Sequence, residues 1–152
     1  MPKIDMTIAE GQLSDDAKRE LPGQMAAALL RWDRAPDTEF FRAISWTHLH
    51  ELPEGAMHTA DGPAELPQAV IEVTTPQGAL SDRRRGELVK ELTAQVLEAT
   101  GWDDEAGIRV WILCREIDEG SWGAAGNIIR FEQLRAAAKA EKEQAGSAAA
   151  PA

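Results

Sequence analysis

Strand-like and helix-like patterns of apolar and polar residues succeed one another twice along this chain. From Pro2 to Ile8 apolar and polar positions alternate, which predicts a strand. A helix follows, with Leu21, Met25, Ala28, Leu29 and Trp32 at helical spacing. Pro22 falls inside it. An interior proline costs about 3 kcal/mol, so a bend or a late helix start is expected there. A second strand is predicted over Phe41–Leu49. The series then begins again: a strand from Gln68 to Thr75, a helix with the apolar stripe Leu88, Val89, Leu92, Val96 and Leu97, and a strand over Arg109–Ile117. Ser14 and Ser81 can cap the two helices, and Asp15 and Asp82 suit the positive end of each helix dipole.

The two halves match residue by residue. At one fixed offset Gly11, Leu13, Ser14, Asp15, Glu20 and Leu21 fall on Gly78, Leu80, Ser81, Asp82, Glu87 and Leu88. The same offset carries Ile4 onto Ile71 and Thr7 onto Thr74. After a two-residue gap, Trp46, Glu51, Glu54 and Gly55 fall on Trp111, Glu116, Glu119 and Gly120. Three segments in register indicate an internal duplication. Each repeat reads strand–helix–strand, a right-handed unit with parallel strands. The predicted fold is therefore α/β (α+β): two β-α-β units forming a four-stranded sheet, with both helices on one face. The other face is left bare, and a bare apolar face predicts oligomerisation. The domain is expected to span residues 1–130, with repeats at about 2–55 and 69–126. The proline- and glycine-rich stretch Leu52–Pro67 reads as a linker between them that covers part of a site. Phe131 to Gln144 reads as a polar helix, and the residues after it as a flexible tail.

Composition narrows the functional classes. The 152 residues fit one domain. A net charge of −10 argues against nucleic acid as a partner, yet it leaves room for a small anionic substrate, because local charge decides that. No apolar run approaches the ~20 residues of a membrane-spanning helix, and the charged start does not read as a secretory signal. A cytoplasmic setting is the default expectation. The one cysteine, Cys114, excludes an internal disulfide and reads as a small buried hydrophobe in mid-strand.

The candidate chemistry begins at Pro2. If Met1 is removed, Pro2 becomes a secondary amine at the end of a buried strand. An ordinary α-amine titrates near ~8, and desolvation lowers that value, so such an amine can act as a neutral base at pH 7. Trp46 and Trp111 read as core or interface fillers, with pocket lining as the alternative. Arg42 and Arg109 are candidate cations by strand position, and Arg109 shares a strand face with Trp111 and Leu113. His48 and His50 share a face with Trp46. A pair two apart on a strand can bind metal, but a third ligand cannot be named, since His58 lies in the linker. No metal and no cofactor is therefore expected. Arg83-Arg84-Arg85 sits at a helix start, where cations are disfavoured; it reads as a solvated or intersubunit patch before it reads as an anion attractor.

A duplicated β-α-β unit behind an amino-terminal proline resembles the tautomerase superfamily. The resemblance covers residues 2 to about 128. It rests on Pro2, the Gly-x-Leu-Ser-Asp helix start, and the segment from Glu116 to Gly126. That segment is similar to a glutamate–aromatic–glycine run of 4-oxalocrotonate tautomerase, with Trp122 at the aromatic position. Chain length resembles cis-3-chloroacrylic acid dehalogenase, malonate semialdehyde decarboxylase and macrophage migration inhibitory factor. The resemblance implies a homotrimer with the proline in a pocket at a subunit boundary.

The specialised residues of those relatives are missing. Gln12 or Leu13 and Trp111 stand where the tautomerase has its arginines. Leu29, Leu113 and Ser121 replace the dehalogenase's histidine, tyrosine and glutamate, and Pro76, Gln77 and Ala79 fall near its arginine pair. Only Glu39 lies near a plausible place for a water activator. Proton shuttling needs less: one base, one polarising donor and a dry pocket. The expected activity is keto–enol tautomerisation, or a related proton transfer, on a small 2-oxo acid, with Pro2 as base. Arg42, Arg109, Trp46, Trp111 and Trp122 are the candidate substrate contacts. The alternatives are a non-catalytic trimeric binding module, or a dehalogenase, hydratase or decarboxylase of the same superfamily.

Overall fold

The computed structural model describes residues 2–148; Met1 and the last four residues of the expected tail lie outside it. The elements in chain order are β1 (Lys3–Ala9), α1 (Asp15–Asp33), α2 (Glu39–Ala43), β2 (Trp46–Leu52), β3 (His58–Thr59), β4 (Gly62–Pro63), β5 (Ala69–Pro76), α3 (Asp82–Thr100), a 3₁₀ helix (Asp104–Arg109), β6 (Val110–Ile117), β7 (Gly123–Ala124), β8 (Asn127–Ile128) and α4 (Phe131–Ala148). One mixed sheet has the order β2-β1-β5-β6. β1 runs parallel to β2, β5 parallel to β6, and β1 antiparallel to β5. The two repeats thus lie side by side in one sheet, as expected, and meet antiparallel through β1 and β5.

Side chains in a strand alternate between faces, and here the alternation is strict. Ile4, Met6 and Ile8 of β1 and Ile71 and Val73 of β5 point under the helices and are fully buried. They meet Leu21, Met25 and Leu29 of α1 and Leu88, Leu92 and Val96 of α3 in one core. Each such side chain contributes about 1.5–3 kcal/mol on burial. Cys114 packs against this core, and burial pushes its thiol up from the ordinary value. The opposite face of the sheet carries Lys3, Asp5, Trp46, His48, His50, Glu72, Trp111, Leu113 and Arg115, and no helix among the described residues packs on it.

The duplication reaches the details. Ser14 Oγ accepts from the Ala17 amide at 3.1 Å, and Ser81 Oγ accepts from the Arg84 amide at 3.4 Å. Both helices end in left-handed residues, Arg34 (φ 60) and Gly101 (φ 70). Lys18 pairs with Glu51 at 2.9 Å in the first repeat, and Arg85 with Glu116 at 3.3 Å in the second.

The structure corrects four sequence expectations. Helix α1 starts at Asp15, not late, and stays helical past Pro22, which has no N–H to donate to the Lys18 carbonyl. The strand expected over Phe41–Leu49 starts only at Trp46. Before it, Thr38 caps the short helix α2, its Oγ1 accepting from the Phe41 amide at 3.4 Å, and the Phe41 ring is buried. Arg42 therefore sits on a helix. Likewise Arg109 closes the 3₁₀ helix capped by Asp103, one residue before β6, instead of standing on the strand. The fourth correction concerns the stretch Leu52–Pro67: it is no plain linker, because it holds the hairpin β3–β4, which the hairpin β7–β8 repeats in the second half. Helix α4 also runs four residues beyond Gln144, through Ala148. Among the described residues no helix is long and apolar enough to cross a membrane.

Candidate active site

Pro2 is fully buried at the head of β1. Its carbonyl accepts from the Trp46 amide at 3.2 Å, which fixes the chain end against β2. On the other side, β1–β5 pairing aligns Lys3 with Thr74. Continued one step beyond its last pair, the same register sets Pro2 opposite buried Thr75, the residue before Pro76 in the chain.

Pro76 lines a cavity of about 630 Å³ that opens at this end of the sheet. Three parts of the chain build it. Asp33, Arg34 and Ala35 come from the end of α1, Pro76 to Ala79 and Arg84 from the β5–α3 turn and the first turn of α3, and Phe131, Leu134, Arg135, Ala138, Lys139, Lys142 and Glu143 from one face of α4. Phe41 completes the wall. The lining has five cations against two carboxylates, although the chain as a whole is strongly acidic. Positive charge is thus concentrated where an anion would enter.

Several contacts hold this lining in place. Arg84 Nη1 donates to the Trp32 carbonyl at 2.9 Å, tying α3 to the end of α1. Lys142 Nζ donates to the Arg34 carbonyl at 2.8 Å. Arg34 is a non-glycine residue in the left-handed region, a conformation that costs of order 1–3 kcal/mol and recurs at functional sites. Glu116 accepts from the Gly78 amide at 3.2 Å and from Arg85 at 3.3 Å, so this residue of the recognised segment shapes the turn that lines the cavity. Burial pushes the Asp33 carboxyl above its ordinary value, against the opposing pull of Arg84 and Lys142.

The structure brings some of the sequence-predicted residues to Pro2 and separates others. Trp46 lies at the Pro2 end of the sheet, 57% exposed, its indole donating to the Ala43 carbonyl at 2.9 Å. Arg42 pairs with Asp37 at 2.9 Å and lines a different hollow, between α1 and α2. Arg109 and Trp111 line a third cavity at the opposite end of the sheet, with His58, Leu66 and Ile108. Trp111 aligns with Val70 and hence with Thr7, about 17 Å along the strands from Pro2. Arg109 Nε is spent on the Pro67 carbonyl at 3.0 Å. Trp122 is half-buried before the β7–β8 hairpin and does not line the cavity that Pro76 lines. The turn from Pro76 to Ala79 does face the cavity, but with neutral residues.

Asp33 and the α4 cations were not among the candidates from sequence, and Arg84 was read there first as part of a solvated or intersubunit patch and only second as an anion attractor. A signal for α4 was present: Phe131, Leu134, Arg135, Ala138, Lys139 and Lys142 recur at the spacing of one helical face.

Comparison with known proteins bears on the fold. No protein-family model and no curated protein sequence matches the chain. Solved structures do. Pt0534 inactivated by 2-oxo-3-pentynoate is 25% identical, with a TM-score of 0.69 over 83% of this chain and 94% of that one. The symmetric trimer of the Q0 fused 4-OT is 22% identical, with a TM-score of 0.68 over 84% and 94% of the two chains. N1, a member of the cis-3-chloroacrylic acid dehalogenase family, is 16% identical, with a TM-score of 0.69 over 95% and 99%. The antiparallel pair of β-α-β repeats gives this chain the fold of the tautomerase superfamily, in its fused two-repeat form.

Proposed function

We propose that the protein is a tautomerase-like enzyme that moves a proton on a small 2-oxo acid, with Pro2 as the base once Met1 has been removed. One observation carries this reading: in the chain that still carries Met1, Pro2 is fully buried at the head of β1, and its register extends toward Thr75, whose neighbour Pro76 lines the cationic cavity. Burial disfavours the charged form of an amine and so supplies a neutral base. The amine takes a proton from the carbon α to the carbonyl. Negative charge then develops on the carbonyl oxygen, and the same proton is returned at another position. Arg84, Arg135, Lys139 and Lys142 are proposed to hold the carboxylate and stabilise the enolate, in place of the arginines that the resemblance led one to look for near Pro76, Gln77 and Ala79.

The bare sheet face with its exposed Trp46, Trp111 and Leu113 supports assembly of several copies, and the fused 4-OT neighbour is a trimer. We infer a homotrimer here. In it, Arg109, Trp111 and Trp122 act on substrate only from a neighbouring copy, since Arg109 and Trp111 lie at the far end of their own sheet. Trp46 remains the aromatic nearest to its own Pro2, while Arg42 has no part in this reading beyond its pair with Asp37.

Covalent labelling tests the proposal. In 2-oxo-3-pentynoate the alkyne is conjugated to a carbonyl, so a neutral amine adds to it: the nitrogen lone pair forms the new C–N bond, and the proton it loses ends on carbon. The expected result is a chain lacking Met1 and heavier by one whole reagent, with the added mass on the amino-terminal peptide. Labelling confined to Cys114, or no labelling, would remove Pro2 from the mechanism. Saturable binding of 2-oxo acids without turnover would instead indicate a binding module.

A further inference from the structure

The exposed sheet face holds a second cluster of chemistry-bearing side chains, remote from the cavity. The register of the parallel β1–β2 pair sets Asp5 beside His48, with His50 one pleat further on the same face. Asp5 Oδ1 lies 3.2 Å from His48 Nδ1 and 3.2 Å from His50 Nε2. One ligand atom from each of the three residues lies within 4.8 Å of the others. The imidazoles are held by their neighbours: Trp46 stacks on His48 with centroids 6.2 Å apart, and His48 meets His50 edge to face.

We propose that Asp5, His48 and His50 form a binding site for a late first-row divalent cation such as Zn²⁺ or Co²⁺. Two imidazole nitrogens and one carboxylate oxygen are a donor set these ions accept, and three protein ligands leave a fourth position for water. The spacing fits as well. Zinc bonds of about 2.0–2.2 Å put neighbouring donors ~3.4 Å apart in a tetrahedral site, close to the separations that Asp5 Oδ1 already has from both imidazoles. A carboxylate oxygen hydrogen-bonded to two imidazole nitrogens is the same geometry with protons in place of a metal. To bind the ion each imidazole turns a lone pair toward Asp5 by carrying its N–H on the other ring nitrogen, and the ion must compete with Lys3, whose Nζ lies 2.7 Å from Asp5 Oδ2. The third ligand that the histidine pair lacked in the sequence is supplied by strand pairing.

The competition with Lys3 gives the site a signature that scattered surface histidines would not show. The test uses untagged, full-length protein stripped with chelator. ZnCl₂ is titrated calorimetrically, and Co²⁺ is followed by its visible absorption. The expected result is saturable binding of one ion per chain with a ligand-field spectrum of low coordination number. His48→Ala, His50→Ala and Asp5→Asn should each weaken binding ~100-fold, as loss of one ligand in three implies. Lys3→Ala should tighten it about fivefold by freeing Asp5 Oδ2. His58→Ala, in the β3–β4 hairpin, should change nothing. These side chains lie outside the core of the single chain, so the metal-free variants should keep the wild-type circular dichroism spectrum, and gel filtration beside it separates a lost metal ligand from a lost subunit contact. Absence of saturable binding overturns the proposal, as does binding that survives His48→Ala and Asp5→Asn or is lost in His58→Ala.

Discussion

Trp46 and Trp111 make the same hydrogen bond at opposite ends of the sheet: each indole donates to the carbonyl three residues before it, Ala43 at 2.9 Å and Ile108 at 3.1 Å. The bond fixes both rings on the uncovered face, where they are 57% and 62% exposed. A large indole held rigid in water loses little further entropy on contact, which is why tryptophan is enriched where interfaces bind most tightly. The pair is the strongest sign within the chain that this face is covered in the assembled protein.

Trp46→Glu and Trp111→Glu should therefore break the assembly while leaving the monomer folded. Truncating such an anchor typically costs 2 kcal/mol or more, and a charge placed in its pocket costs more still. Light scattering during gel filtration should show wild type at three chains and both variants shifted toward one. Variants that keep the wild-type mass at micromolar concentration would place the contact elsewhere.

Arg84 joins two jobs, the bond to the Trp32 carbonyl and a position in the cavity wall. Arg84→Ala should lower stability by about 1 kcal/mol through the lost hydrogen bond. It should also raise KM for an anionic substrate about 10- to 100-fold, because a charge-assisted contact is worth ~1.5–3 kcal/mol, while kcat changes far less. Arg84→Lys keeps the charge and should recover part of the KM. Steady-state kinetics of both variants beside thermal melts separates the two jobs.

Asp33 gives a pH signature. Its folded carboxyl titrates above its unfolded value, chiefly because of burial. Between those two values the folded state holds more proton than the unfolded one, so stability falls as pH rises through that window. Below the unfolded value the loss is absent. Asp33→Asn removes the dependence: the variant should melt higher than wild type at pH 7, and the gap should close in acid. Loss of the negative charge should also lower KM for a 2-oxo acid. Melting temperatures of the two proteins from pH 3 to 8 check the first expectation, and a gap that widens in acid would contradict it.

What the sequence revealed depended on how local the signal was. The repeats were legible because Ser14/Ser81, Gly11/Gly78 and Glu51/Glu116 recur as the same residue types, each tied to a local cap, a left-handed turn or a helix-to-strand ion pair. The hairpins β3–β4 and β7–β8 were not, because they share neither turn conformation nor residues: positive φ falls on Ala125 and Gly126 in one and on Gly62 in the other. Phe40-Phe41 looks like strand, yet one threonine cap and one buried ring make it helix. Asp5 beside His48 is invisible until the strands pair. The site suffered most from this limit. Pro2 could be singled out from its place behind Met1, whereas Asp33, Arg84 and the α4 cations meet only through tertiary packing, and Arg109 and Trp111 proved to be at the far end of the sheet.

The central claim is that the Pro2 nitrogen is the base. Its most direct measurement is the rate of enol consumption with phenylenolpyruvate, compared between the chain freed of Met1, the same chain with Pro2→Ala, and a form that retains Met1. The account predicts turnover only for the first, with kcat/KM rising through an apparent pKa below the ~8 of an ordinary α-amine. Undiminished turnover by the Met1-bearing form, whose Pro2 nitrogen is an amide, would contradict it.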